Sequence, residues 1–193
     1  MSTARRPGRR PGAADTRGEI LTAARKVFSE KGYDKATMRG IAREAGVDPA
    51  LVHHYFANKE GVFAEALQLP VTPDVILPEL LGAPRHELGE RLVRLLLTVT
   101  SDPQAREPVI ALMRSAMTND QARETLREFM SSAMLFRVAD ALEVPHIRIE
   151  AAFAQMFGII MARYVLRLEP IASADLEEIV ELVGPTLQRY LDP

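Results

Sequence analysis

The chain has 193 residues, enough for one large domain or for a small domain with a larger partner, and its formal net charge is −2. It contains no cysteine, which excludes a disulfide framework, a thiolate nucleophile and a cysteine-based zinc site. The charge is unevenly spread: residues 1–67 hold 12 Lys and Arg against 8 Asp and Glu, whereas residues 68–193 hold 12 Arg against 18 Asp and Glu. This asymmetry predicts one end that faces phosphates and another that does not.

The chain begins with a basic segment in which Arg5, Arg6, Arg9 and Arg10 alternate with Pro-Gly pairs. Because Pro and Gly disfavour a helix, residues 1–13 are predicted to be a disordered arm. Extended basic arms can lie in the minor groove of DNA, where narrow tracts concentrate negative potential. The alternative, a solvated tail that adds only non-specific attraction, stays open.

Residues 37–47 have the pattern of a short amphipathic helix followed by a tight turn. Thr37 is a favourable N-cap, and Gly46 stands where the turn needs a positive φ, with Val47 as an apolar plug beneath it. Apolar groups share one face of this helix, namely Met38, Ile41, Ala42 and Ala45. We expect this face to pack against a core.

A second short helix follows directly. Asp48 is placed to cap it, and Pro49 stands in its first turn, where a missing N–H has no cost. Val52 and Phe56 are four residues apart and are predicted to face inward. The outward side then carries small, hydrogen-bonding and aromatic groups suited to a major groove, namely Ala50, Leu51, His53, His54 and Tyr55. Residues 37–56 are therefore predicted to be a DNA-binding helix-turn-helix.

This pattern, with an amphipathic helix from about Thr16 to Lys31 before it, resembles the N-terminal domain of the tetracycline-repressor (TetR) family of bacterial transcription regulators. The matching residues are Ala24, Phe28, Gly32, Tyr33, Thr37, Ile41, Ala42, Ala45, Gly46, Val47, Pro49, Tyr55, Phe56, Lys59 and Glu60. The resemblance covers roughly residues 16–67. Two departures, Leu51 and His53, lie on the DNA-facing side and leave the operator sequence open.

The resemblance implies which residues meet DNA. Tyr55 and Lys59 are expected to anchor phosphates, since Lys59 matches the family's lysine at the start of the fourth helix, which Asn58 caps. Ala50, Leu51 and His54 are expected to meet base edges, and Asp48 is expected to be a cap rather than a base reader. The full set of predicted DNA contacts is Arg5, Arg6, Arg9, Arg10, Thr37, Ala50, Leu51, His53, His54, Tyr55 and Lys59.

The remainder of the chain is also predicted to be helical. Pro70 and Pro73 break the chain, so we place a boundary between a DNA-binding domain at residues 14–69 and a ligand-binding and dimerisation domain at residues 70–193. Helices are expected at about Pro73–Leu81, His86–Ser101, Gln104–Thr118, Gln121–Leu142, Pro145–Leu168 and Asp175–Leu191. Strand-like alternation is missing, which predicts an all-α chain of nine or ten helices. These form a three-helix DNA-binding domain and a larger helical domain.

Methionine and phenylalanine are concentrated in the helices that should surround the middle of the second domain. Methionine is flexible and polarisable, which suits an adaptable apolar pocket, although it is also ordinary core filler. The predicted ligand pocket comprises Met113, Arg114, Met117, Met130, Met134, Phe153 and Phe157, with Arg114 as a polar anchor. The expected effector is a small, largely apolar molecule that the sequence does not identify.

Assembly is predicted from the last two helices. Ala154, Gly158 and Ala162 form a strip of small residues that would let another helix approach closely. The final helix has an apolar stripe that includes Ile179, Val183 and Leu187. The resemblance implies that two such helices pair across a two-fold axis, and a symmetric dimer would present two recognition helices to a palindromic operator. Both stripes could instead pack within one protomer.

Enzyme motifs and metal sites are not found. The four histidines do not form a clamp, and neither a nucleophile elbow, a phosphate loop nor an HExxH pattern is present, so no cofactor or metal is expected. The longest nearly apolar run, from Ala151 to Ala162, is shorter than a bilayer needs, and no signal peptide is recognised, which predicts a cytoplasmic protein without a membrane partner.

These observations predict a dimeric, ligand-responsive transcriptional regulator, with repression as the favoured mode. Ligand in the second domain would tilt the helix that begins at Asn58 and change the spacing of the two recognition helices. Two alternatives are kept: an architectural or ligand-independent DNA-binding protein, and, more remotely, an enzyme with an acid–base pair in the second-domain cavity.

Overall fold

The computed structural model describes residues 16–192, and this part of the chain forms ten helices and no strand, which confirms the all-α prediction. The predicted basic arm with Arg5, Arg6, Arg9 and Arg10 lies outside the described residues. The helices are α1 Thr16–Lys35, α2 Met38–Ala45, α3 Pro49–Tyr55, α4 Lys59–Ala66, α5 Pro73–Leu81, α6 Leu88–Ser101, α7 Pro103–Thr118, α8 at residues 120–142, α9 His146–Leu166 and α10 Leu176–Leu191.

Short polar side chains define the starts of three helices of the reading head, our name for the N-terminal helices α1 to α4. Thr37 Oγ1 accepts a hydrogen bond from the Gly40 amide at 3.0 Å, Asp48 Oδ1 accepts from Ala50 at 2.7 Å, and Asn58 Oδ1 accepts from Gly61 at 2.7 Å. Each bond satisfies an amide that has no partner inside its helix, so the local sequence is sufficient to start α2, α3 and α4.

Helix α1 is broken near its end at Gly32, which has φ 78° and ψ 178°. A side chain there would be strained by the positive φ, and its Cβ would lie 2.9 Å from Glu128 Oε2 of α8. The same carboxylate oxygen accepts a hydrogen bond from the Asp34 amide at 3.0 Å. The break therefore allows the end of α1 to meet α8, and it lies beside Lys31, where the sequence predicted the first helix to end.

Two of the long helices contain a π-helical segment. In α8 the segment Phe129–Leu135 separates Asp120–Glu128 from Phe136–Leu142, and α9 ends in the segment Met161–Leu166. A π-helical turn rotates the following side chains relative to a regular helix. The residues of α8 on either side of the segment therefore face different neighbours than a 3.6-residue period predicts.

The apolar core is continuous from Ile20 of α1 to Leu191 of α10. Helices α6 and α10 approach most closely at Gly89 and Gly184. A Cβ on Gly89 would lie 2.5 Å from the Gln188 amide nitrogen and would collide with the Gly184 carbonyl oxygen. Glycine is required at Gly89 because the backbones of two helices touch there.

Candidate DNA-binding surface and ligand cavity

Helices α2 and α3 place the predicted base-reading residues on the surface. Ala50, His53 and His54 are exposed, and Leu51 and Tyr55 are half-buried. The two residues expected to face inward do so: Val52 and Phe56 are both buried. Tyr55 also packs against the edge of the core, with its ring 5.3 Å from that of His54. The outward face of α3 is therefore small and polar, with no carboxylate among the residues Ala50 to Tyr55.

Lys59 has partners within the protein. Its Nζ donates to the carbonyl oxygen of Tyr33 at 3.0 Å and lies 3.4 Å from that of Asp34, while the ammonium group sits 4.2 Å from the centre of the Tyr33 ring. These contacts fasten the start of α4 to the end of α1. The phosphate contact expected of Lys59 stays a prediction. An N–H of the ammonium group that is not used in these bonds would donate to the phosphate.

Some of the other basic residues of the reading head form ion pairs within the protein, and others do not. Lys26 of α1 binds Glu44 of α2 at 2.6 Å, and this ammonium holds the pKa of the Glu44 carboxyl below its usual range. Arg39 and Arg43 lie one turn apart on the exposed side of α2, and neither forms an ion pair with another described residue. The sequence analysis did not include Arg39 and Arg43 among the candidate DNA contacts, although their i, i+4 spacing on the polar face of α2 could have indicated them.

A cavity of about 150 Å³ lies in the second half of the chain. Its lining is apolar except for Thr100, whose hydroxyl already donates to the Leu96 carbonyl oxygen at 2.7 Å. A cavity of roughly this size, lined by Leu, Ile and Phe, can stay dry and bind benzene. The lining residues come mainly from α6, α7, α8 and α9, and the connection from α4 to α5 contributes Leu69, Pro70 and Val71.

Phe129 connects this cavity with the reading head. It begins the π-helical segment of α8 and lines the cavity. Its ring stacks on Phe63 of α4 at 4.5 Å and meets the Tyr33 ring edge-to-face at 5.3 Å. Burial, followed by the neighbouring Glu60 carboxylate, raises the pKa of Tyr33 well above its usual range, so this buried ring is a neutral phenol.

One face of α9 is apolar and has no partner among the described residues 16–192. Ile147 is 68% exposed, Ala154, Gly158 and Val165 on the same side are exposed, and a Cβ on Gly158 would have no heavy atom within 4 Å. By length and composition alone α9 could cross a membrane, and 22% of its most apolar stretch is buried. Exposed apolar strips of this kind are typical of surfaces that contact another protein or a membrane.

Two family models match the chain. One, described as bacterial regulatory proteins of the tetR family, matches residues 20–66, and another, described as a tetracyclin repressor-like C-terminal domain, matches residues 86–191, more than half of the chain. The chain belongs to the TetR family. A TetR-family regulator of Streptomyces coelicolor A3 of known structure is 31% identical over 95% of this chain and 98% of its own, with a TM-score of 0.44.

Other relatives have narrower similarity. The HTH-type transcriptional regulator UidR of Escherichia coli (strain K12) is 40% identical over 50 residues, 26% of each chain. The present chain therefore covers about a quarter of the length of the curated relatives it matches. The fatty acid degradation regulator FadR of Bacillus halodurans has the same fold, with a TM-score of 0.50 over 93% of this chain and 97% of its own, at 20% identity.

The structure separates the predicted pocket residues of this TetR-family chain into two groups. The residues that line the cavity are Met113, Met130, Met134, Phe153 and Phe157. Arg114 and Met117 do not line this cavity: both are exposed, Met117 to 62%, because they lie on the side of α7 that faces away from it. No charged side chain is among the residues that line the cavity.

The residues predicted for the interface on the final helix are already covered within one protomer. Ile179, Val183 and Leu187 are buried on the side of α10 that packs against α6, and their part in an interface stays a prediction. The opposite side of α10 carries Leu182, which is 74% exposed. On α9, by contrast, Ala154 and Gly158 are exposed and Ala162 is half-buried. Among the residues 16–192, no group of three or more His, Asp or Glu side chains is placed to hold a metal ion.

Proposed function

We propose that this TetR-family chain is a homodimeric, cytoplasmic DNA-binding regulator, and that it is a repressor which leaves its operator when a small apolar ligand fills the cavity. The observation that carries the proposal is a single ring stack. Phe129 forms part of the cavity wall and also packs against Phe63 of the reading head. A ligand in the cavity and DNA on α3 would thus act on one shared group of side chains.

The α2–α3 unit is the part that would contact DNA. Its polar outer face would enter the major groove, with Ala50 and Leu51 against thymine methyl groups and His54 at a purine acceptor. Thr37, Tyr55 and Lys59 would contact phosphates. His53, which is exposed beside this face, would contribute a further polar contact, and the basic arm of Arg5, Arg6, Arg9 and Arg10 would extend along the DNA.

The exposed apolar strip of α9 would be covered by its own symmetric copy. Isologous pairing places like surfaces together, so a strip that contains Ala154 and Gly158 lets two helices approach closely, with Ile147 and Leu182 at its margins. A dimer is also required for function, because each protomer supplies one recognition helix and a palindromic operator has two half-sites about one helical turn apart.

The cavity would couple to the reading head through α8 and α4. A ligand too large for the existing space has to displace the wall, and Phe129 stands where the wall meets the reading head. Movement of Phe129 would shift Phe63 and hence α4, which changes the distance between the two recognition helices of a dimer. Reciprocity then requires that operator DNA weakens ligand affinity by the same factor as ligand weakens operator affinity.

The DNA-binding part is tested by selecting duplexes from a random library with the full chain. We expect a palindromic site with half-sites about 34–36 Å apart. Binding to the selected site, measured by fluorescence anisotropy, should be weakened by His54→Ala and unaffected by Arg123→Gln, which changes an exposed arginine of α8. Selection of no common sequence, or of a site without two-fold symmetry, would show that the chain is not a dimeric operator-binding protein.

The ligand part is tested with Phe157→Trp, which places one tryptophan in the cavity of a chain that has none. Small aromatic hydrocarbons such as toluene should change its fluorescence, raise the melting temperature and weaken operator binding. Ligand present at about 100 times its dissociation constant should stabilise the protein by about 2.7 kcal/mol. Binding that leaves operator affinity unchanged would favour a ligand-independent role in DNA binding.

A further inference from the structure

A second opening lies between the reading head and the C-terminal helices, next to the apolar cavity. It has a volume of about 460 Å³ and is here called the junction cleft. Its walls come from α1, α4, α7, α8 and the residue before α8, and its lining residues are Arg25, Phe28, Ser29, Phe63, Leu67, Leu112, Ser115, Asn119, Gln121, Ala122, Thr125 and Leu126. The cleft therefore contacts both halves of the chain.

The chemistry of the junction cleft differs from that of the cavity. Its lining includes one guanidinium, five neutral polar side chains and no carboxylate. The Nε of Arg25 donates to the Ala66 carbonyl oxygen at 2.8 Å, and this bond does not use the two terminal nitrogens. The two acidic residues of α8 that flank its lining residues in sequence, Asp120 and Glu124, each pair with an arginine of α8 and do not line the cleft. An anionic group is the complement of such a lining.

Two side chains separate the cleft from the cavity. Leu112 of α7 and Leu126 of α8 line both spaces, and both are half-buried. Leucine side chains can change rotamer without moving the backbone, so this wall can open to a narrow apolar chain. The two spaces then form one site with an apolar inner end and a polar outer end that carries a positive charge.

From this arrangement we infer that the effector is an amphipathic anion, with an apolar tail in the cavity and an acidic head group in the junction cleft at Arg25. This inference rests on the proposed ligand response and specifies the chemical class of the ligand. The head group would lie between Ser29 of α1 and Ser115 of α7, so binding would act directly on the position of the reading head. The tail would reach Phe129 from the other side.

The test uses calorimetric titration of the full chain with straight-chain carboxylates and with alcohols of equal length, below their micelle concentrations. Affinity for both should rise about threefold to fourfold per methylene until the cavity is full. The affinity of each carboxylate should exceed that of the matching alcohol by a factor of about ten or more. A hydrogen bond to a charged group is stronger than a neutral one by roughly that factor. Equal affinity for the two series would overturn the inference.

Substitutions of Arg25 test where the acidic head group binds. Arg25→Gln should lower carboxylate affinity to the level of the alcohol and leave the alcohol unchanged, whereas Arg25→Lys, which keeps the charge, should retain part of the preference. Arg189→Gln is the matched control, because this exposed arginine of α10 does not line the cleft and forms no ion pair with another described residue, and it should change neither series. A loss of both series in Arg25→Gln would indicate a general structural effect and would contradict the assignment.

The failure of this inference can be distinguished from the failure of the proposed function. In the Phe157→Trp protein, long carboxylates should change the tryptophan fluorescence, while acetate should not, because only a long tail reaches the cavity. If alcohols and toluene change the fluorescence but carboxylates bind no better, the ligand response stands and the anionic head group is refuted. If no compound of either series or toluene binds, both the ligand response and its chemical class are refuted.

Discussion

Replacement of Gly158 by leucine should separate dimer formation from folding. In the isolated protomer a Cβ at this position meets no heavy atom within 4 Å, so the larger side chain points into open space. Removing a glycine from a helix interior should even stabilise the protomer by about 0.5–1 kcal/mol. Any loss of function in Gly158→Leu must therefore arise where a second copy covers α9.

The expected cost follows from the proposed two-fold packing. Overpacking a close contact costs about 1–3 kcal/mol per site, and the symmetry of a dimer brings two substituted sites into the interface. The penalty is then about 2–6 kcal/mol per dimer, which weakens association by a factor of about 30 to 10⁴ at roughly 1.4 kcal/mol per factor of ten. Operator binding should fall with it, because two linked reading heads are needed.

Sedimentation equilibrium measures the dimer dissociation constant, and thermal unfolding at two protein concentrations reports whether the protomer remains folded. Ala111→Leu is a suitable control, since it adds the same side chain at an exposed position of α7. If Gly158→Leu kept the association constant of the unsubstituted chain, the strip on α9 would not be the interface. A protomer that melts at lower temperature at all concentrations would contradict the open environment of Gly158.

Substitutions at four other residues test separate contacts. Gly89→Ala should lower the free energy of unfolding by at least about 1–3 kcal/mol in urea titration, because its Cβ collides with the α10 backbone; an unchanged midpoint would refute the close crossing. Asp48→Ala should cost about 1 kcal/mol through loss of the cap, while Asp48→Ser should retain both stability and operator preference, and relaxed selection at one base pair would show base reading. Lys59→Ala should destabilise the protein by about 1 kcal/mol and lower the salt slope of DNA binding by about 1; destabilisation with an unaltered slope would limit Lys59 to its internal bonds. Phe129→Leu should retain ligand binding but reduce the effect of ligand on operator affinity, and full release in that variant would rule out the Phe129 route.

Much of the reading head was predictable because its determinants are local. A cap, such as Thr37, Asp48 or Asn58, satisfies an amide two or three residues further on, so the sequence alone identifies the helix start. The inward positions of Val52 and Phe56 likewise follow from helical spacing within a single short helix. These features depend on neighbours along the chain, and the resemblance to a family added their expected order in space.

The partner of each apolar face was decided only by the tertiary structure. Periodicity predicted the stripes of α9 and α10 equally well, but α6 covers Ile179 and Leu187 while the strip at Gly158 is left open. Phe129, the first residue of the π-helical segment of α8, faces both cavity and reading head, and helical spacing alone does not specify this. A sequence pattern specifies which residues share a face of one helix, whereas the neighbour of that face depends on how all the helices fill the core together.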